Sequence, residues 1–151
     1  MKINLISVGK WKKSPEADLF AHYQKRLPWP LLLRELEEKR PLSGPALMAA
    51  EAELILGAIP STSFVVALDP RGVVLSSEDF ASRLQKVRES HGEASFIIGG
   101  ADGLSDKVRS RAQLLLSLGS MIWPHLLVRS LLAEQLYRAW SILNNHPYHR
   151  G

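Results

Sequence analysis

The sequence predicts one α/β domain, residues 1–151, with a mostly parallel sheet flanked by helices. Short apolar runs alternate with longer helix-like segments, which is typical of strand–helix–strand units. The runs SFVVALD and ASFIIGG are apolar at consecutive positions, as in strands that are buried on both faces of a parallel sheet. No repeat, low-complexity tract or linker divides the chain, and its length suits one domain.

The first half of the chain is predicted to hold two strands and two helices. A helix start is marked by Ser14 and Pro15, because a serine oxygen caps free N–H groups and proline lacks the N–H that would otherwise stay unpaired. In chain order, we predict strand Lys2–Val8, a helix ending at Leu27, strand Leu31–Leu36 and a helix over 44–59.

The second half continues the alternation. Serine caps followed by acidic residues predict helices that begin at Ser76 and Ser105. In order, we predict a strand over 63–69, a helix closing at His91-Gly92, a strand over 94–100, a helix over 104–115, an ambiguous segment over 115–124 and a long helix over 125–144.

Bulk composition restricts the class of protein. With no cysteine, disulfides and thiolate metal sites are excluded. There is no apolar run of about 18 residues, so no membrane span is predicted, and the N-terminus does not resemble a signal peptide. These features favour a cytoplasmic protein. The net charge of +4 permits a polyanionic partner without requiring one.

Three loops follow predicted strands and are candidates for a ligand site, because ligands of parallel α/β sheets bind at the carboxyl ends of strands. They are Leu68–Gly72, Gly99–Gly103 and Gly119–Pro124. The G-G-x-x-G pattern of the second loop fits a dinucleotide site poorly and is equally typical of a turn. In the first loop, Asp69 could bind a ribose, hold a cap or begin a D-P-x-G turn. In the third loop, Trp123 could cover an aromatic ligand or lie in the core.

The last predicted helix carries a wide apolar stripe, which suggests burial against the sheet and against a partner subunit. The stripe comprises Leu127, Leu131, Leu136, Trp140 and Leu143. Arg129 and Arg138 on this helix could be ordinary surface charges.

The chain then ends in His146-Pro147-Tyr148-His149-Arg150-Gly151, an unusual concentration of polar groups for a terminus. Tyr148, His149 and Arg150 could donate hydrogen bonds, accept a proton and contact a phosphate. Two alternatives are a histidine metal site, for which no acidic or cysteine partner lies nearby in the sequence, and a polar tail without a function.

Together these segments resemble the ribosomal RNA large-subunit methyltransferase H family, which belongs to the SPOUT class of S-adenosylmethionine-dependent RNA methyltransferases. The resemblance lies in VGK, VVALDPRG, IIGGADGLS and PHLLVRSLLAEQLYRAWSILNNHPYHRG. It runs the full length, is densest from Phe96 to Arg150, and is loose from Pro28 to Pro60.

The resemblance implies a C-terminal trefoil knot that holds the methyl donor, S-adenosyl-L-methionine, without a metal. It also implies a homodimer in which the tail of one subunit completes the site of the other. The reaction would be methylation at N3 of a pseudouridine in large-subunit (23S) rRNA of the assembled 70S ribosome. The matching donor-binding positions are Leu68, Gly100, Gly119, Ser120, Met121, Ile122, Trp123 and Pro124.

Roles for the remaining polar residues follow from this chemistry. The N3 proton must leave, so a nearby acceptor accelerates transfer, and we expect His149 to accept it or Tyr148 and Arg150 to orient the base and its phosphate. Five basic residues are expected to contact rRNA phosphates, which position RNA without reading its sequence: Lys10, Lys12, Lys13, Arg129 and Arg150.

Two other functions compete with this prediction. The chain could be a ribosome-assembly or RNA-binding protein that keeps the fold and has lost transfer. It could also be an unrelated nucleotide-binding domain such as an oxidoreductase, which would bind NADH. Ligand-dependent shifts in melting temperature would distinguish them.

Overall fold

The computed structural model describes residues 1–150 and shows a five-stranded sheet in the order β2-β1-β4-β3-β5. Every pairing between neighbouring strands is parallel, as the doubly apolar strand sequences predicted. Gly151, the last residue of the predicted domain and tail, lies outside the described residues.

Helices and strands alternate along the chain, with helix starts at the predicted serine caps. Ser14, Ser76 and Ser105 each accept a backbone N–H of the following turn. The elements are β1 Lys2–Val8, α1 Pro15–Arg26, β2 Leu31–Leu36, α2 Gly44–Ala58, β3 Phe64–Val74, α3 Ser77–Ser90, β4 Glu93–Ile98, α4 Asp106–Arg111, β5 Leu114–Ser117 and α5 His125–Leu143.

The helices cover both faces of the sheet and bury two apolar cores. On one face, α1, α3 and α5 pack together, and Phe20, Phe80 and Leu132 lie in the larger core. On the other face, α2 and α4 cover a smaller core that includes Ile55 and Val108. Coverage on both faces explains why the central strands tolerate few polar residues.

Two predicted boundaries around the sheet edge are wrong. Strand β3 was expected to end at Asp69, but Leu68 and Val73 both pair with Leu116, so residues 69–72 bulge out and the strand resumes. A Cβ on Gly72 would lie 2.5 Å from the carbonyl carbon of Leu115, so only glycine allows this approach.

The second error concerns residues 114–117. They form the edge strand β5, where a helix over 104–115 and an ambiguous segment had been expected. The four-residue strand is too short to show a period, and only its pairing with β3 defines it.

Helix α5 begins at the predicted residue and lies more deeply buried than its apolar stripe suggested. Leu132, Leu136 and Tyr137 are buried, whereas Leu127 and Leu131 are half-buried. Across residues 1–150, no helix combines the length and the apolar character needed to span a membrane.

Candidate functional site

The three candidate loops converge on one cavity of about 230 Å³, beside the bulge of β3 and the carboxyl ends of β4 and β5. Of the eight donor-binding positions expected from the resemblance, the cavity is lined by Leu68, Gly100, Gly119, Met121, Ile122 and Trp123. The other two, Ser120 and Pro124, are exposed and lie outside this lining. The strand-end rule therefore located the cavity correctly.

The glycine-rich loop forms a tight wall of the cavity. Gly103 N–H donates to the carbonyl of Gly100 at 3.0 Å, which closes the turn. A Cβ on Gly99 would lie 2.8 Å from the carbonyl oxygen of Gly103, closer than packing allows. The backbone of this loop thus lies directly at the cavity, where a ligand can reach it.

Asp69 is a structural anion in this arrangement. Its carboxylate accepts the N–H of Arg71 at 2.8 Å and lies 3.6 Å from the guanidinium of Arg109. Burial alone would raise its pKa, but the hydrogen bonds from Arg71 and the charges of both arginines outweigh burial, so the net pKa lies below its ordinary value. Of the three roles left open for Asp69, this geometry favours beginning the D-P-x-G turn, which forms the bulge at residues 69–72 within β3.

The remaining wall is an exposed apolar loop. Ile122 is 94% exposed and Met121 is 74% exposed, although both also line the cavity. Trp123 is 41% exposed and lies at the boundary with a second cavity of about 440 Å³, between α3 and α5. Trp123 therefore does not lie in the core.

His125 also lines this cavity, and sequence reasoning missed it. Its only sequence signal was its position directly after the loop 119–124, at the start of α5. Burial and the positive charge of Arg129 lower the pKa of the His125 imidazole, so the ring is neutral at pH 7. Of the cavity-lining residues, only Asp69 and His125 carry titratable side chains.

Arg129 is not a phosphate contact. Its side chain has no exposed surface, and its guanidinium donates to Glu35 at 2.8 Å and to the carbonyl of Gly9 at 2.8 Å. It donates to Ser7 at 3.0 Å and lies over the ring of Trp11 at 4.7 Å. A buried cation needs this set of partners, so Arg129 joins α5 to the ends of β1 and β2.

The other predicted RNA contacts are placed at the surface. Lys10 and Lys12 line a groove of about 430 Å³ between the β1–α1 loop and the start of α5, and Lys13 is exposed beside it. His125 borders this groove as well as the strand-end cavity. Arg150 is exposed in the tail.

The tail packs against its own chain, away from the strand-end cavity. The hydroxyl of Tyr148 donates to Glu134 at 2.8 Å and lies 3.0 Å from the hydroxyl of Tyr23. Burial, followed by these hydrogen bonds, raises the pKa of Tyr148. His149 lies 3.0 Å from Glu78 and 3.2 Å from Arg138.

The tail was expected to be ordered by a second chain, but contacts within its own chain already hold it. Its side chains contact α1, α3 and α5, so the predicted catalytic residues and the strand-end cavity do not meet within one chain. Within residues 1–150, no group of three or more His, Asp or Glu side chains is arranged to hold a metal ion.

Comparisons with known proteins agree with this architecture. The family model described as "Predicted SPOUT methyltransferase" matches residues 1–149. The Ribosomal RNA large subunit methyltransferase H of Paramagnetospirillum magneticum is 57% identical over 99% of both chains. That of Rhodospirillum centenum is 50% identical over the full length of both.

Solved structures share the fold at low sequence identity. A Legionella pneumophila methyltransferase, Lpg2936, solved with bound SAM, has a TM-score of 0.51 and 14% identity; the match covers 90% of this chain and 65% of that one. TrmJ from Z. mobilis ZM4 has a TM-score of 0.50 and 16% identity, over 99% of this chain and 71% of that one. With the parallel sheet, the strand-end cavity and the full-length family match in place, the chain belongs to the SPOUT methyltransferase family.

Proposed function

We propose that this protein transfers a methyl group from S-adenosylmethionine to N3 of a pseudouridine in large-subunit rRNA, on assembled 70S ribosomes in the cytoplasm. The observation that carries the proposal is the convergence of six family-matched positions on one strand-end cavity. The relatives named Ribosomal RNA large subunit methyltransferase H, up to 57% identical, support the substrate.

The residues of the cavity suit the methyl donor. Bare backbone at Gly99 and Gly100 can hydrogen-bond the polar groups of the donor, and the adjacent Leu68, Ile122 and Trp123 can cover its apolar and aromatic parts. When bound, the donor supplies a methyl group that its sulfonium already activates. The protein therefore contributes mainly the positioning of the two reactants.

A homodimer would bring the tail to the cavity. Because the tail of each chain lies against its own α1, α3 and α5, we propose that it completes the site of a partner subunit. The exposed apolar residues Val74, Met121 and Ile122 support burial of the cavity rim in that dimer. The trefoil knot implied by the family resemblance belongs to the same proposal.

In that composite site, the tail residues would act on the target base. His149 donates from Nε2 to Glu78 and accepts from Arg138 at Nδ1, so its ring is held in one orientation. We propose that Nδ1 of His149, once it releases Arg138 in the composite site, takes the N3 proton, while Tyr148 and Arg150 orient the base and its phosphate. The high pKa of Tyr148 keeps its hydroxyl a hydrogen-bond donor at neutral pH.

Binding to the ribosome would use the exposed cations. Lys10, Lys12, Lys13 and Arg150 are placed to contact phosphates, whereas Arg129 supports the fold beneath them. With a net charge of only +4, we propose that the shape of the assembled particle, rather than charge alone, selects the target. Binding to ribosomes should weaken as the salt concentration rises.

The test is transfer of labelled methyl from S-adenosylmethionine to 70S ribosomes that lack the modification, with free 23S rRNA in parallel. Label on ribosomes alone, mapped to one pseudouridine at N3, is the expected result. Donor binding without transfer to either sample would contradict the proposed substrate. Absence of donor binding would contradict the proposed cofactor.

Mixing subunits tests the composite site. A His149→Ala chain and a Gly99→Ala chain are each expected to transfer little methyl, because each homodimer lacks either a tail group or an intact donor cavity. Heterodimers of the two contain one complete site and should recover up to half of the activity per dimer. If mixing recovers none, the tail does not serve the partner subunit.

A further inference from the structure

The proposed reaction assigns no role to the imidazole of His125. It lines the donor cavity, and it also borders the groove that carries Lys10 and Lys12. A Cβ on Gly9 would lie 3.8 Å from Nε2 of His125 and 4.0 Å from a guanidinium nitrogen of Arg129. The ring therefore lies near a buried cation, at the wall of the cavity.

We propose that His125 is a pH-sensitive determinant of methyl-donor binding: its neutral ring admits the sulfonium cation, and its protonated ring repels it. This inference rests on the proposed use of S-adenosylmethionine. It assigns His125 a role in distinguishing the charged methyl donor from the demethylated product, S-adenosylhomocysteine, whose thioether sulfur is uncharged.

Distance within the cavity makes the repulsion strong enough to measure. His125 lines the cavity itself, so a ligand that fills the cavity comes close to its ring. Taking ~8 Å as a representative separation, two positive charges weaken binding by between about twofold at the dielectric constant of water and about thirtyfold at an effective value of 20. Because the product sulfur carries no charge, its binding should change less.

The surrounding charges reinforce the neutral state of the ring. Arg129 is the neighbour on its own helix, and burial together with that guanidinium lowers the pKa of His125. Protonating the ring would place a second cation beside a buried one. The charged groups on the other elements around the ring are Lys10 and Lys12 in the β1–α1 loop, Glu16 on α1, Glu35 on β2, where it pairs with Arg129, and Asp69 on β3.

Asp69 is the nearest candidate for an opposing effect, since a carboxylate in the cavity would attract both the sulfonium and a protonated ring. The carboxylate of Asp69 already pairs with Arg71 and Arg109, and its pKa is lowered. Asp69 therefore stays ionised while His125 titrates. The change of charge in the cavity between pH 7 and pH 5 therefore comes from His125.

Calorimetric titration of the full-length protein tests the proposal directly. As the pH is lowered from 7.0 through the titration of His125, we expect the Kd of S-adenosylmethionine to rise, by about two- to thirtyfold once the ring is fully protonated, and the Kd of S-adenosylhomocysteine to change less. In His125→Gln, which keeps a neutral polar side chain, the Kd of S-adenosylmethionine should depend less on pH. His22→Gln replaces an exposed histidine on α1 and is the matched control, with the wild-type dependence.

A second measurement does not depend on a variant that folds. In the wild-type protein, the midpoint of the NMR titration of the His125 ring should shift to lower pH when S-adenosylmethionine is bound. The shift should be smaller when S-adenosylhomocysteine is bound. Equal shifts with the two ligands, or a His125→Gln protein that keeps the full pH dependence, would overturn the proposal. Failure of methyl transfer to ribosomes with this binding pattern intact would instead refute the proposed substrate.

Discussion

Replacing Arg129 with methionine should destabilise the protein more than any other single change of an arginine to an apolar residue. The guanidinium is completely buried and pairs with Glu35, whose side chain is 24% exposed, at 2.8 Å. It also donates to Ser7 and Gly9 and lies over Trp11. Removing one partner of a buried ion pair costs about 3–5 kcal/mol, because the other charge stays behind.

The expected loss lies near the lower limit of that range. Glu35 keeps the backbone N–H of Trp11 at 2.8 Å and some contact with water, so its carboxylate is not stranded when Arg129 is removed. We therefore expect the free energy of unfolding to fall by about 3 kcal/mol. For a chain of this length, that corresponds to a fall in Tm of roughly 6–12 °C.

Urea unfolding at one fixed protein concentration measures this loss. Arg83→Met, at an exposed position on α3, is the matched control and should change stability by less than about 0.5 kcal/mol. Glu35→Gln completes a double-mutant cycle, in which the coupling to Arg129 should exceed about 1 kcal/mol. A loss in Arg129→Met no larger than that in Arg83→Met would refute the assignment of Arg129 as a structural cation.

Three further changes test the site and the tail. Gly99→Ala places a Cβ 2.8 Å from the carbonyl oxygen of Gly103 and should weaken S-adenosylmethionine binding in calorimetry, whereas Gly57→Ala, with open space around it, should leave binding unchanged. Tyr148→Phe removes the hydroxyl that joins α1 to α5 and should lower the free energy of unfolding by about 1 kcal/mol in urea titration; an unchanged midpoint would show that the tail is not held there. Asp69 has a lowered pKa in the folded protein, so its ionised form stabilises the fold above its unfolded pKa of about 3.9 and this contribution is lost as the pH falls. Its replacement by asparagine should therefore flatten the loss of stability between about pH 5 and pH 3 in thermal unfolding, and an unaltered slope would contradict this role.

Local sequence signals were sufficient for most of the elements. Ser14, Ser76 and Ser105 cap helices as predicted, because capping involves only a side chain and the N–H groups of the next turn. The strand over residues 94–100 was placed to within two residues, because its apolar run is long and bounded by glycine. The location of the cavity followed from these elements and the strand-end rule.

Signals that depend on distant partners were missed or misread. The edge strand β5 is defined by its pairing with β3, and the bulge after Leu68 by the passage of Gly72 over Leu115. Arg129 looks like a surface cation in sequence, since its partners on β1 and β2 lie about 90–120 positions away. His125 lines the cavity because the loop that precedes it forms part of the cavity wall.

The sequence by itself determined the α/β alternation, the serine-capped helices and the candidate loops after the predicted strands, since each depends on neighbours within a few residues. The tertiary structure decided which polar groups are buried, where the tail lies and which imidazole lines the cavity. The physical reason is that the burial of Arg129, the docking of Tyr148 and the lowered pKa of His125 are set by groups that only folding brings together.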